Sequence, residues 1–369
     1  MDIETAARRC FARDYADARA RFQDAATQAG AGLKAYPNPH RGPRGEALAT
    51  DVAWLGPEDA RRVLVTIAAT HGAEGFCGAG AEVDWLLNLG ANSLPGDTAA
   101  LLIHAINPHG FAWLRRVTEE GVDLNRNFVD FAQPLPENPG YDVLASALVP
   151  EALEGPAFDA AEARIKAYQE AHGEKGLQAA VSGGQYRYPK GLFYGGTAPS
   201  WSRRTTEAII ADYRLASRAL VAVVDFHTGL GPFGYGEPIC DHAPGSLGLA
   251  RARAWYGPSL TEPLAGTSSS LAKDGLSDFG WQRLLGDALT FIALEFGTYP
   301  VRDVLWALRQ DHWLYREGVP DWEAPATRRI KDTLRRTFFP DTDDWREMVL
   351  FRSRQVLRQA LAGLAEAAD

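Results

Sequence analysis

His71 and Glu74 stand three residues apart in a glycine-rich stretch, His71-Gly72-Ala73-Glu74-Gly75. An imidazole nitrogen and a carboxylate oxygen at that spacing can converge on one cation. Zinc accepts such donors, and a catalytic zinc site uses three protein ligands plus a water. The pair alone is weak evidence, since a capping or surface histidine beside a glutamate reads the same. His227 supplies the third ligand in this reading. It lies just beyond the apolar run LVAVVDF at 220–226, and a hydrogen-bonded buried histidine is the alternative. If that run is a strand, Asp225 points to the same side as His227. Asp225 then either orients the imidazole or is an ordinary buried aspartate. Glu295 lies near the end of ALTFIALEF at 288–296, where Thr290 is the other polar residue. A carboxylate there is costly unless paired or bound. Apolar surroundings would raise its pKa, which suits a general base near neutral pH, whereas an arginine partner would make it structural. Arg115, Arg116, Asn125 and Arg126 fall within NPHGFAWLRRVTEEGVDLNRNF at 107–128. Guanidinium groups grip carboxylates as a bidentate fork and stabilise a developing oxyanion. Spacing alone does not separate these from solvated surface arginines.

The elements that must position these residues are four apolar, partly β-branched runs, at 63–69, 99–106, 220–226 and 288–296. Each reads as a buried strand. Each ends in polar or reactive groups: His71 and Glu74, then Asn107 to Gly110, then Asp225 and His227, then Glu295. In open α/β sheets ligands bind at the carboxyl ends of strands, so four such ends suggest one shared site. Helices are expected over 3–28, 79–89, 157–171, 202–219 and 344–367, and a Pro/Gly turn region over 36–48. The stretch 231–287 is mixed and resists assignment. Strands alternating with helices indicate an α/β fold, a mixed, mostly parallel sheet flanked by helices. No linker divides the chain, so residues 1–369 are expected to form one catalytic domain with a helix at each end.

The motifs His71-Gly72-Ala73-Glu74, Asn107-Pro108-His109-Gly110, Val122-Asp123-Leu124-Asn125-Arg126-Asn127-Phe128, Asp225-Phe226-His227-Thr228 and Glu295 follow one another in this order. The chain thereby resembles the zinc carboxypeptidase (carboxypeptidase A-like) superfamily, which includes succinylglutamate desuccinylases and aspartoacylases. More narrowly it resembles a bacterial branch catalogued as a domain of unknown function, through HGAEGF, INPHGFAWLRRV, VDLNRNF, GLFYGG, DFHTGLGPFG and LEFGTYP. The resemblance implies Zn2+ held by His71, Glu74 and His227, with Glu295 as catalytic glutamate. It implies that Asn125 and Arg126 hold the substrate's free carboxylate and that Arg116, with Arg115 close behind, polarises the scissile carbonyl. Tyr194, Tyr235 and Tyr299 are candidates for the superfamily's mobile tyrosine. The implied activity is removal of a C-terminal amino acid from a small peptide. An N-acyl amino acid deacylase would use the same zinc and base, and a binding protein that lost turnover should have lost one of them.

Composition excludes several other classes. The 369 residues are 46% hydrophobic and 23% charged with a net charge of −9, and no Lys/Arg run offers a nucleic-acid footprint. No stretch approaches the roughly 20 apolar residues that span a bilayer. The widely spaced Cys10, Cys77 and Cys240 suit neither a disulfide framework nor a thiolate zinc site. With no secretory signal in the first residues, the expected address is the cytoplasm. No Gly-x-Ser-x-Gly elbow supports a serine hydrolase. Acidic residues such as Asp241 and Asp278, between His227 and Glu295, could line a pocket for a basic side chain or lie in solvated loops.

Overall fold

A computed structural model describes residues 1–366. Seven strands form one sheet: β1 (Gly32–Arg41), β2 (Ala47–Leu55), β3 (Arg62–Ile67), β4 (Thr98–His104), β5 (Leu220–Phe233), β6 (Gly236–Ile239) and β7 (Leu289–Gly297), in the order β1-β2-β4-β3-β5-β7-β6. The four inner strands, β4, β3, β5 and β7, are parallel, and the other three pairings are antiparallel. The fold is thus the mixed α/β sheet expected, parallel at its centre.

The inner strands are apolar throughout because both their faces are covered. Leu64, Leu102, Val224 and Leu294 point to one face, packed under helices Tyr15–Gln28, Gly75–Asn88 and Asp343–Glu366. Their alternates Val63, Ile103, Val223 and Phe291 point to the other, against Ile209 of helix Trp201–Asp212 and Trp281 of helix Ser277–Leu285. A third apolar cluster lies beyond the carboxyl ends of the strands, where helices Pro139–Leu148, Pro156–Ser182, Val301–Leu314 and Pro325–Phe338 meet.

Several local expectations are corrected. The Pro/Gly region at 36–48 is the turn and flanking strand of the β1–β2 hairpin. Pro37 and Pro39 are tolerated because β1 is an edge strand. The helix at 3–28 is two, Ile3–Cys10 and Tyr15–Gln28, separated by Asp14, whose side chain caps the second. The helix at 157–171 runs on to Ser182, broken at Gly173 with φ 73°. The helix at 202–219 stops at Asp212. The unassigned stretch contains β6 and helices Leu247–Tyr256 and Ser277–Leu285. The closing helix spans Asp343–Glu366, and residue 367 of the expected range lies outside the described residues. Cys10, Cys77 and Cys240 are free and buried. Among the described residues no helix is long and apolar enough to cross a membrane.

Candidate active site

Three of the four inner strands deliver their polar ends to one cavity of about 740 Å³. Beyond β3 the chain turns through Ala69, held at φ 61°, then Thr70 and His71, into a short 3₁₀ turn carrying Glu74. That turn packs tightly on the loop after β4: a Cβ on Gly72 would lie 1.9 Å from the Gly110 backbone, so only glycine fits. The fourth strand end therefore braces the site. Asn107 caps helix Pro108–Ala112 by accepting the Gly110 N–H at 2.8 Å, and neither Asn107 nor His109 lines the cavity.

His71, Glu74 and His227 come together. One ligand-type atom from each lies within 4.8 Å of the other two, and all three side chains are buried. His71 Nδ1 is 2.9 Å from Glu74 Oε1 and His227 Nδ1 is 3.3 Å from Oε2. His71 Nδ1 nonetheless makes no hydrogen bond. The opposite ring nitrogens meet carboxylates: His71 Nε2 lies 3.1 Å from Asp123 and His227 Nε2 lies 2.9 Å from Asp225. Thr70 Oγ1 donates to Asp225 at 2.8 Å, and the Thr228 N–H donates to Glu74 at 3.0 Å. Burial opposes charge on Glu74, but His71, His227 and Arg116 outweigh it and hold the carboxyl below its usual range. Burial likewise opposes charge on Asp123, and Arg116 and His71 overcome it.

Glu295 is the register partner of His227 across the β5–β7 pairing, so the two share a face of the sheet. Its Oε1 accepts the Leu230 N–H at 3.0 Å. No arginine pairs with it among the described residues. Burial, then repulsion from Glu74, pushes its carboxyl up to about 7.

The two neighbouring arginines part company. Arg116 lies in the cavity wall, with Nη1 3.0 Å from Glu74, Nε 2.9 Å from Asp123 and Nη2 2.8 Å from His71 Nε2. Arg115 turns away from the cavity to Asp311 (3.1 Å) and stacks on Tyr315. Asn125 and Arg126 both line the cavity. Asn125 accepts the Ser277 N–H at 2.7 Å. Buried Arg126 donates to the carbonyls of Asn125 and Ser182, leaves Nε without a partner, and forms no ion pair among the described residues. Asp241, Lys273 and Asp278 complete this end of the cavity. Burial and nearby Arg126 bring the Lys273 ammonium down to about 7, and burial raises the Asp241 carboxyl to about 6. Tyr194, Tyr235 and Tyr299 do not line the cavity. Asp123 was missed by sequence reasoning, although it stands two residues before Asn125, where a polar residue in a turn could have prompted the question.

Residues 11–352 match a family described as a protein of unknown function, DUF2817. The chain belongs to that family. No curated protein matches this DUF2817 chain. Among solved structures it is similar to the carboxypeptidase A of Helicoverpa armigera, at 14% identity and a TM-score of 0.53, covering 96% of this chain and 74% of that one. It is also similar to a metallo-carboxypeptidase from Burkholderia cenocepacia (13% identity, TM-score 0.42, 92% and 68% covered). An aspartoacylase family protein from Mesorhizobium loti is a further match (16% identity, TM-score 0.38, 77% and 66% covered). The chain has a carboxypeptidase-like fold.

Proposed function

We propose that this chain is a zinc-dependent amide hydrolase of the carboxypeptidase type, releasing an amino acid that bears a free carboxylate. One observation carries the reading. His71 Nδ1, His227 Nδ1 and the Glu74 carboxylate converge, while Asp123 and Asp225 face the opposite ring nitrogens. Two imidazole nitrogens and a carboxylate suit zinc. His71 Nδ1, buried and without a hydrogen bond, is the kind of atom a cation satisfies. Bound there, zinc supplies Lewis acidity, lowering the pKa of water toward about 7 and polarising a carbonyl.

The chain's own residues supply the rest. Glu295, poised near 7, takes the proton from the attacking water and returns it to the leaving nitrogen. Arg116, in the wall beside Glu74, is assigned the developing oxyanion. Arg126, a buried guanidinium without an ionic partner among the described residues, is assigned the substrate carboxylate together with Asn125. Arg115, paired with Asp311 away from the cavity, supports the backbone of Arg116.

The test is a set of N-blocked dipeptides and N-acyl amino acids, each with a free or an amidated carboxyl group. The free acids are expected to be cleaved, and amidation to lower kcat/KM by about 10- to 100-fold, the value of a charge-assisted hydrogen bond. Equal cleavage of both forms would remove the clamp from the account.

A further inference from the structure

The cavity extends past the metal-site residues as a groove between helices Pro156–Ser182 and Val301–Leu314. Gly229, two residues beyond His227, lines the cavity where the two parts meet, and an added Cβ there would meet Phe338 at 3.0 Å and Val304 at 3.7 Å. Val304, Leu305, Trp306, Phe158, Ile165 and Leu177 form the groove's apolar surface, buried or half-buried. Of the charged side chains that line it, Lys166 and Arg302 are exposed and form a rim, whereas Arg309 is buried and committed to Glu162 and to the carbonyls of Ala147 and Leu148. Three contacts join the helices: the Phe158–Trp306 ring pair at 5.4 Å, the Arg309–Glu162 ion pair at 2.6 Å and the Arg309 guanidinium over the Phe158 ring at 5.9 Å.

Both walls are helical over most of their length, so apart from the first turn of Val301–Leu314 and the break at Gly173 their backbone N–H and C=O groups are paired within the helices. Gln178, a polar side chain in the lining, already donates to Ser269 O at 3.2 Å. A peptide laid along this floor would bury amide groups without partners, which opposes binding. A hydrocarbon chain has no such groups and gains with every methylene buried. The opposite end of the same cavity carries buried Arg126 and half-buried Lys273, cations that can meet a carboxylate, beside Asp241 and Asp278, whose carboxyls burial raises. One end suits an anion and the other an aliphatic chain, with the metal-site residues between them.

We infer that the acyl half of the substrate is aliphatic, so that this chain acts on N-acyl amino acids with medium-length or long hydrocarbon acyl groups. The inference rests on the hydrolase reading for the position of the scissile amide. It rests on the groove alone for the nature of the acyl group.

Binding without turnover separates the two. Zinc-loaded Glu295→Gln protein is titrated calorimetrically with N-acylglycines from acetyl to dodecanoyl, glycine asking nothing of the side-chain pocket. Affinity is expected to rise about three- to fourfold per methylene as far as octanoyl or beyond, with an increasingly negative heat-capacity change. Adding Leu305→Asp, or separately Ile165→Asp, should flatten that gradient. Affinity independent of chain length would overturn the inference, as would a gradient that survives both aspartate variants or tighter binding of an apolar blocked tripeptide. If the gradient is present but wild-type protein cleaves none of the series, the groove assignment stands and the hydrolase reading falls.

Discussion

Arg115 and Arg116 are adjacent in sequence and belong to two different ionic networks. Arg116 joins Glu74, His71 and Asp123 in a cavity wall that retains an unpartnered imidazole nitrogen. Arg115 joins Asp311 and Lys331, packed against Tyr315, in a closed cluster with the Lys331–Asp311 contact at 2.5 Å. The second network sets two cations on the two oxygens of one carboxylate and holds the loop whose carbonyls receive the N–H groups of Gly72 (3.3 Å) and Ala73 (2.8 Å). The first leaves an atom for something else to satisfy. Burial and charge alone therefore do not mark a functional ion cluster. An unpartnered atom facing a cavity does.

The largest expected effect separates the open network from mere structure. Glu295→Gln should lower kcat by about 1000-fold, the middle of the range for a lost general base, with metal content unchanged. In the wild type, kcat/KM should rise with pH to a plateau because the base must be ionised, with its midpoint below the value of about 7 that Glu295 has without metal, since bound zinc would favour the carboxylate. The stability consequence has the opposite sense. The folded-state pKa is raised, so the stabilisation due to this group is present below the unfolded value of roughly 4.3 and lost as pH rises through about 7. Metal-free Glu295→Gln should therefore gain stability relative to wild type between pH 5 and pH 8, measured by urea unfolding.

The next effect contrasts the arginines directly. Arg116→Ala should lower kcat per folded molecule by about 100- to 1000-fold, and it should also cost stability because Glu74 and Asp123 lose their guanidinium partner. Arg115→Ala should lose about 3 kcal/mol of stability through the broken buried pair, while kcat per folded molecule stays close to wild type. The reverse pattern would exchange the two roles. Smallest are Asp123→Asn and Asp225→Asn, each expected to weaken zinc binding by about 10- to 100-fold in a chelator competition. No change in either would reduce these aspartates to structural residues.

Much of this arrangement was legible in the sequence because the inner strands are buried on both faces. Polar residues at the ends of such apolar runs stand out, and His71, Glu74, His227 and Glu295 meet as expected. Asn107 to Gly110 looked equivalent but braces the ligand turn, a distinction made by the contact between Gly72 and Gly110 and not by residue type. The choice between Arg115 and Arg116 depends on Asp311 and Lys331, about 200 residues downstream, which no local pattern announces. The β1–β2 hairpin was hidden because Pro37 and Pro39 read as breakers until β1 is known to be an edge. The groove was also hidden, since it is made by two helices distant in sequence, one broken at Gly173.

The most direct test is the metal content of purified wild-type protein beside Glu74→Ala and His227→Ala, after dialysis against a weak chelator, with folding checked by circular dichroism. The account predicts one zinc per wild-type chain and loss of zinc in both folded variants. A wild-type chain that takes up no divalent metal even when supplied with it, or folded variants that bind zinc as the wild type does, would contradict it.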